Sequence, residues 1–132
     1  GVTPERLGEV VAAAARKARG MSGDKAVAFV EVEVDSLTQL AEVLAIEAGL
    51  VDVVLLDNMD AGLLREAVQM RDGARSKVAL EASGGVTLET VRQIAETGVE
   101  RIAVGSLTHG AAWLDVGLDF PMKPGGDRGV KA

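Results

Sequence analysis

Four short apolar runs end at one even interval, and that interval restricts the fold of this chain more than any other feature. Val27–Val32 ends at Glu33, Val53–Leu56 at Asp57, Lys77–Leu80 at Glu81, and Ile102–Val104 at Gly105. Each end lies 24 residues after the one before it, and amphipathic helical patterns fill the gaps. Strands that alternate with helices build parallel sheets, because a parallel partner needs a crossover connection. In α/β barrels the loops after the strands carry the chemistry. The expected fold class is therefore α/β, part of an incomplete parallel barrel, starting with a helix and carrying four main strand–helix units. The interval is structural only, since the units do not resemble one another in sequence.

The helical and strand patterns follow local signals. Pro4 to Arg19 reads as a helix, capped by Thr3, with Pro4 at the first helical position and Leu7, Val10, Val11 and Ala14 as its apolar stripe. A turn follows over residues 20–24. The strand Val27 to Val34 places Glu31, Glu33 and Asp35 on one face, where the carboxylates repel unless a metal or a basic side chain meets them. Ser36 caps a helix from Leu37 to Ala48 that Gly49 ends. Further helices are expected from about Ala61 to Met70 and from Leu88 to Thr97, and a last strand from Arg101 to Val104. Domain limits follow: residues 1–120 form a barrel portion, and residues 121–132 lack periodicity and read as a flexible tail. The chain begins at Gly1 with a helix and no strand before it, so it reads as the C-terminal half of a longer protein.

Composition narrows the function. The only aromatic residues are Trp113, Phe29 and Phe120, so the core must come from Val, Leu, Ile and Ala, which suits buried parallel strands. No cysteine is present, which excludes disulfides and thiolate metal sites. No apolar run has membrane-spanning length and no signal-peptide pattern occurs, so a cytoplasmic location with no membrane partner is expected. A net charge of −6 argues against nucleic acid as a partner.

The site candidates sit at the ends of the strands. Leu80-Glu81-Ala82-Ser83-Gly84-Gly85-Val86-Thr87 runs from a strand through a Ser-Gly-Gly turn toward a helix. Glycines allow backbone angles that turn N–H groups inward, and a helix start adds unpaired donors at its positive end. Phosphate is the usual guest, although Gly-Gly also serves as a plain tight turn. Gly105-Ser106 is a second small loop of the same kind, and phosphate in many barrels lies between the last two such loops. Glu33 and Asp57 reach the same rim, where paired carboxylates suit a Mg²⁺ ion or a cationic transition state. His109 reads equally as a phosphate ligand or a capping residue, and Glu81 as a rim group or an interior carboxylate held by Lys or Arg. Glu31 reads as structural, and Asp115 and Asp119 as turn and surface groups.

These residues also carry a resemblance. Glu31-Val-Glu33-Val, Leu56-Asp57-Asn58, Leu80 to Thr87, Ala95 to Val99, Val104 to His109 and Leu114 to Phe120 resemble quinolinate phosphoribosyltransferase, also called nicotinate-nucleotide pyrophosphorylase (carboxylating). The motifs occur in that family's order and spacing, from about Gly1 to Phe120. The resemblance implies transfer of phosphoribosyl from phosphoribosyl pyrophosphate to quinolinate with decarboxylation, giving nicotinate mononucleotide, CO₂ and pyrophosphate, with Mg²⁺. It further implies an N-terminal sandwich domain, an incomplete barrel and a homodimer. By the same resemblance Glu33 and Asp57 match the acidic residues near the ribose and metal. Ser83, Gly84 and Gly105 match the phosphate loops, and His109 a histidine beside them. Ser106 replaces the family's usual Ala, and Gly110 a common Ser. The family's Arg, His-Arg and Lys-Asp-Asn-His motifs would precede Gly1, so this half alone is expected to be inactive. The alternative is a non-catalytic or molybdenum-transport-related paralogue that binds a phosphorylated ligand, or another phosphate-binding barrel enzyme.

Overall fold

The computed structural model describes residues 4–105, with side-chain burial from Arg6 onward. Its elements alternate: α1 (Pro4–Arg19), a 3-10 turn at Gly23–Lys25, β1 (Glu31–Val34), α2 (Leu37–Leu44), β2 (Val53–Asp57), α3 (Ala61–Gly73), β3 (Ala79–Ser83), α4 (Val91–Ala95) and β4 (Arg101–Ile102). The four strands form one sheet in the order β1-β2-β3-β4, all neighbours parallel. The sheet is open among the described residues. The expected tail over residues 121–132 lies outside them, as do Trp113, Asp115, Asp119, Phe120 and Thr3.

The two faces of the sheet differ because strand side chains alternate. Val34, Val54, Leu56, Leu80 and Ala82 project from one face and are almost wholly buried. Leu40 and Val43 of α2, Leu64 and Ala67 of α3, and Ile94 of α4 close over that face and complete the core. Burying an aliphatic side chain of this size contributes roughly 1.5–3 kcal/mol. The other face carries Glu31, Glu33, Asp57, Glu81, Ser83 and Arg101.

Several boundaries differ from the sequence expectation. β1 begins at Glu31, not Val27, because Asp52 takes over the pairing just before it. The Val30 N–H donates to Asp52 Oδ2 (2.7 Å), while Val30 O accepts from the N–H groups of Asp52 and Val53. Arg19 forms an ion pair with the same Asp52 carboxylate, tying the end of α1 to the start of β2. α2 stops at Leu44, four residues short of Ala48, and Gly49 (φ +88°) closes a separate turn. α3 runs on to Gly73, with Asp60 Oδ1 accepting from the Leu63 N–H at its start (2.9 Å). β3 starts two residues later than Lys77 and ends three later than Leu80, so Glu81, Ala82 and Ser83 are strand residues.

The contact stripe of α1 is also displaced from its expected place. Ala12 and Ala15 are buried, Leu7, Gly8 and Val11 are half-buried, and Val10 is 46% exposed. Gly8 explains the shift: a Cβ there would stand 3.0 Å from the backbone oxygen of Glu42. The helices approach through their small residues, and the larger Val10 is left outside.

Candidate functional site

The C-terminal ends of β2 and β3 meet as one rim. Asp57 is the ladder partner of Ser83, and the Asn58 N–H donates to Ser83 O at 2.8 Å. Past this bond both chains leave extended geometry through the left-handed region, at Asn58 (φ +54°), Gly84 (φ +82°) and Gly85 (φ +65°). Asparagine tolerates that region better than other side chains, and glycine enters it without steric cost. Gly84 is required on a second ground. A Cβ there would stand 3.0 Å from Asn58 N, 3.2 Å from Asn58 Cα and 3.2 Å from Asp57 Oδ1. The Ser-Gly-Gly loop thus lies against the strand end that carries Asp57. The backbone N–H groups of Gly84 and Gly85 donate no hydrogen bond among the described residues. Two unpaired donors and the Ser83 hydroxyl beside them suit an anion.

The helix expected over Leu88–Thr97 does not supply further donors. Thr87 and Thr90 hold each other in a turn: the Thr87 N–H donates to Thr90 Oγ1 (2.9 Å) and the Thr90 N–H to Thr87 Oγ1 (3.3 Å). Short hydroxyl side chains compete in this way with helical bonding. α4 therefore forms only over Val91–Ala95, away from the glycines. Glu89, fully exposed in that turn, is held below its ordinary carboxyl value by its own backbone N–H and by Thr87.

The carboxylates are not level with one another. The ladder pairs Glu33 with Leu55, Leu55 with Glu81 and Glu81 with Arg101, so these four form one row. Asp57 lies two residues further toward the rim, about 6.6 Å along the strand. The even spacing in sequence therefore marks units of unequal register. Glu33 is exposed and Asp57 half-buried, on the same face and on adjacent strands. Among the described residues no group of three carboxylates or imidazoles is placed to enclose a metal. A Mg²⁺ ion asks for only one or two protein carboxylates, since it keeps several waters and takes other ligands from substrate phosphates.

Gly105 is not a strand end as expected, because β4 stops at Ile102. The Ala103 N–H still donates to Ala82 O at 2.9 Å, and the chain then leaves the sheet. Ser106 and His109 lie outside the described residues. Glu81, left open between two readings, is an interior carboxylate: its side chain is 13% exposed and Arg101 Nε stands 3.0 Å from its Oε2. Sequence reasoning placed Arg101 only at a strand start and missed this contact. It also gave Asn58 no structural part, although the Leu-Asp-Asn end before an Asp-capped helix was visible.

The opposite end of the sheet is structural. A depression of about 420 Å³ there is lined by Ile46, Gly49, Val51, Asp52, Lys77 and Val78, away from the glycine loop. Nearby, the 9%-exposed Arg71 donates to Glu100 Oε1 (2.5 Å), Asp72 Oδ1 (2.7 Å) and Val78 O (3.3 Å). Glu100 Oε2 in turn accepts from the Leu80 N–H at 2.8 Å. Burial alone lowers the Arg71 pKa, but the bonds and charges of Glu100 and Asp72 outweigh it and raise the value. Burial likewise raises the Glu100 carboxyl, and the Leu80 N–H and Arg71 more than reverse that shift.

A parallel strand–helix sheet with its helices on one face, and a polar rim at the strand C-termini, defines a protein of the α/β-barrel class. Residues 5–119 match the family described as quinolinate phosphoribosyl transferase, C-terminal domain. The chain belongs to that family. It is 49% identical over 90 residues to the nicotinate-nucleotide pyrophosphorylase [carboxylating] of Mycobacterium leprae, covering 68% of this chain and 31% of that protein. It is 36% identical over 109 residues to a probable enzyme of the same name from Bacillus subtilis, covering 83% and 35%. The solved structure of the nicotinate-nucleotide pyrophosphorylase from Francisella tularensis matches with a TM-score of 0.60 and 38% identity, over 74% of this chain and 32% of that one. The chain thus spans about a third of the length of these relatives.

Proposed function

We propose that this chain is the C-terminal barrel portion of a quinolinate phosphoribosyltransferase. The whole protein would transfer phosphoribosyl from phosphoribosyl pyrophosphate to quinolinate with loss of CO₂, in NAD biosynthesis. Family membership and the names of the relatives support the reaction. One observation carries the site: two left-handed glycines whose N–H groups are unpaired among the described residues, with Gly84 packed against the Asp57 strand end. The loop and Ser83 hold a phosphate, and the family resemblance gives Gly105, Ser106 and His109 a part in binding it. Asp57 and Glu33 face the ribose, where their charge stabilises the positive charge that develops as the bond to pyrophosphate breaks. Both carboxylates would hold a Mg²⁺ ion, which would supply positive charge toward a pyrophosphate leaving group. The complete enzyme is a cytoplasmic homodimer. The 132 residues alone do not turn over, since no described strand residue at the rim is a cation able to hold two anionic substrates.

Steady-state assays of the full-length protein test this reading. Asp57→Asn keeps size and hydrogen bonding but removes charge, so it lowers kcat more than it weakens quinolinate binding. The expected cost is about 2–4 kcal/mol in the transition state. Glu33→Gln acts in the same direction, and the double change costs less than the sum if both share one Mg²⁺. An unchanged kcat in Asp57→Asn would make Asp57 a structural carboxylate and overturn the mechanism.

A further inference from the structure

The polar face of the sheet is heavily negative for a surface that takes a phosphorylated ligand. Glu31 and Glu33 of β1, Asp57 of β2 and Glu81 of β3 all project from it. Among the described strand residues Arg101 of β4 is the one cation. The ladder sets it level with Glu81, and its Nε stands 3.0 Å from Glu81 Oε2. Yet Oε2, closed off from solvent, accepts no hydrogen bond. The contrast with Arg71 is direct, since that guanidinium donates three hydrogen bonds and joins α3 to the strands. Arg101, half exposed, meets Glu81 across the β3–β4 ladder with no hydrogen bond to Oε2 and no third partner among the described residues. What it supplies to that carboxylate is charge.

We propose that Arg101 is a positioning residue that sets the charge of the phosphate site by cancelling Glu81, so that Glu33 and Asp57 alone act on the ligand. This rests on the reading that the rim takes a phosphorylated ligand. Glu81 lies two residues below Ser83 on the same strand, about 6.6 Å along it. An uncompensated charge some 10 Å from a bound pyrophosphate changes its affinity by roughly three- to tenfold at low salt, and by less as salt rises.

The test is calorimetric titration of inorganic pyrophosphate into the natural full-length protein at low and high salt. Arg101→Met exposes the Glu81 charge and weakens binding three- to tenfold. Glu81→Gln frees the Arg101 charge and tightens binding by a similar factor. The double variant returns to within about twofold of wild type, and Arg101→Lys, which keeps the charge, stays close to it. In steady-state assays KM for the phosphoribosyl donor follows the same order while kcat moves less. A merely structural pair would not give opposite signs: both single variants would bind more weakly or unchanged, and that result overturns the inference. If Arg101→Met fails to fold, Glu81→Gln and Arg101→Lys still decide the matter through the sign of the first and the rescue by the second. A wild-type protein that binds no pyrophosphate would refute the phosphate reading itself. Normal wild-type binding without the opposed shifts would refute the charge role of Arg101 alone.

Discussion

Replacing Gly84 with alanine separates two costs that the structure assigns to neighbouring glycines. At φ +82° an alanine pays the left-handed penalty of about 1–2 kcal/mol. Its Cβ would also meet Asn58 N at 3.0 Å and Asn58 Cα at 3.2 Å, both backbone atoms that cannot swing aside. The β2 strand end or the glycine loop must then shift by several tenths of an ångström, which adds roughly 1–3 kcal/mol, the usual scale of overpacking. Gly85 supplies the control. Its φ of +65° carries the same backbone penalty, but nothing lies nearer its would-be Cβ than Asn58 Oδ1 at 3.8 Å. Urea unfolding should therefore show Gly84→Ala losing about 2–5 kcal/mol and Gly85→Ala about 1–2 kcal/mol. Pyrophosphate affinity should fall more for Gly84→Ala, because the shift displaces the loop donors from Asp57. Equal losses in the two variants would refute the close approach of the loop to Asn58 and the site built on it.

The remaining predictions concern the frame that holds the rim. Arg71→Met leaves Glu100 without its guanidinium partner and Val78 O without a donor, and should cost about 2–3 kcal/mol in urea unfolding. The Glu100 carboxyl is held below its ordinary value of 4.5 in the folded chain, so its contribution is present above that pH. It is lost as pH falls through the lower folded value, and Glu100→Gln should flatten the acid limb of a stability-versus-pH curve below about pH 4.5. Gly8→Ala gains helix propensity of about 0.5–1 kcal/mol but drives a Cβ to 3.0 Å from Glu42 O, so thermal unfolding should show a net loss near 1 kcal/mol.

The alternation of strands and helices was legible because apolar runs and capping residues are local signals. Ser36 and Asp60 each accept a bond from the N–H three residues on, at the starts of α2 and α3. Register was not legible. The interval of 24 suggested that Glu33, Asp57, Glu81 and Gly105 share one level, whereas the ladder sets Glu33 and Glu81 opposite Leu55. Loop lengths absorb the difference: β1 to β2 advances by 22 residues between partners, Glu31 to Val53, and β2 to β3 by 26, Val53 to Ala79. A constant interval in sequence fixes the face on which a side chain lies, since all these offsets are even, but not its height above the rim.

That parity is why the site survives the correction in register. An odd offset would have turned Asp57 or Glu81 into the helix-covered core beside Leu56 and Leu80, where an unpaired carboxylate is prohibitive. Even offsets keep every carboxylate on the polar face and let height sort their roles. Asp57, beside Ser83 and Gly84 at the rim, stands next to the unpaired loop donors. Glu81, one row lower and largely enclosed, requires the guanidinium of Arg101. Glu33 shares the height of Glu81 but sits exposed on β1, the edge strand among the described residues, without a partner on the described strands. The chemistry proposed for the rim depends on this division, with one carboxylate neutralised within the sheet and two left to face the ligand.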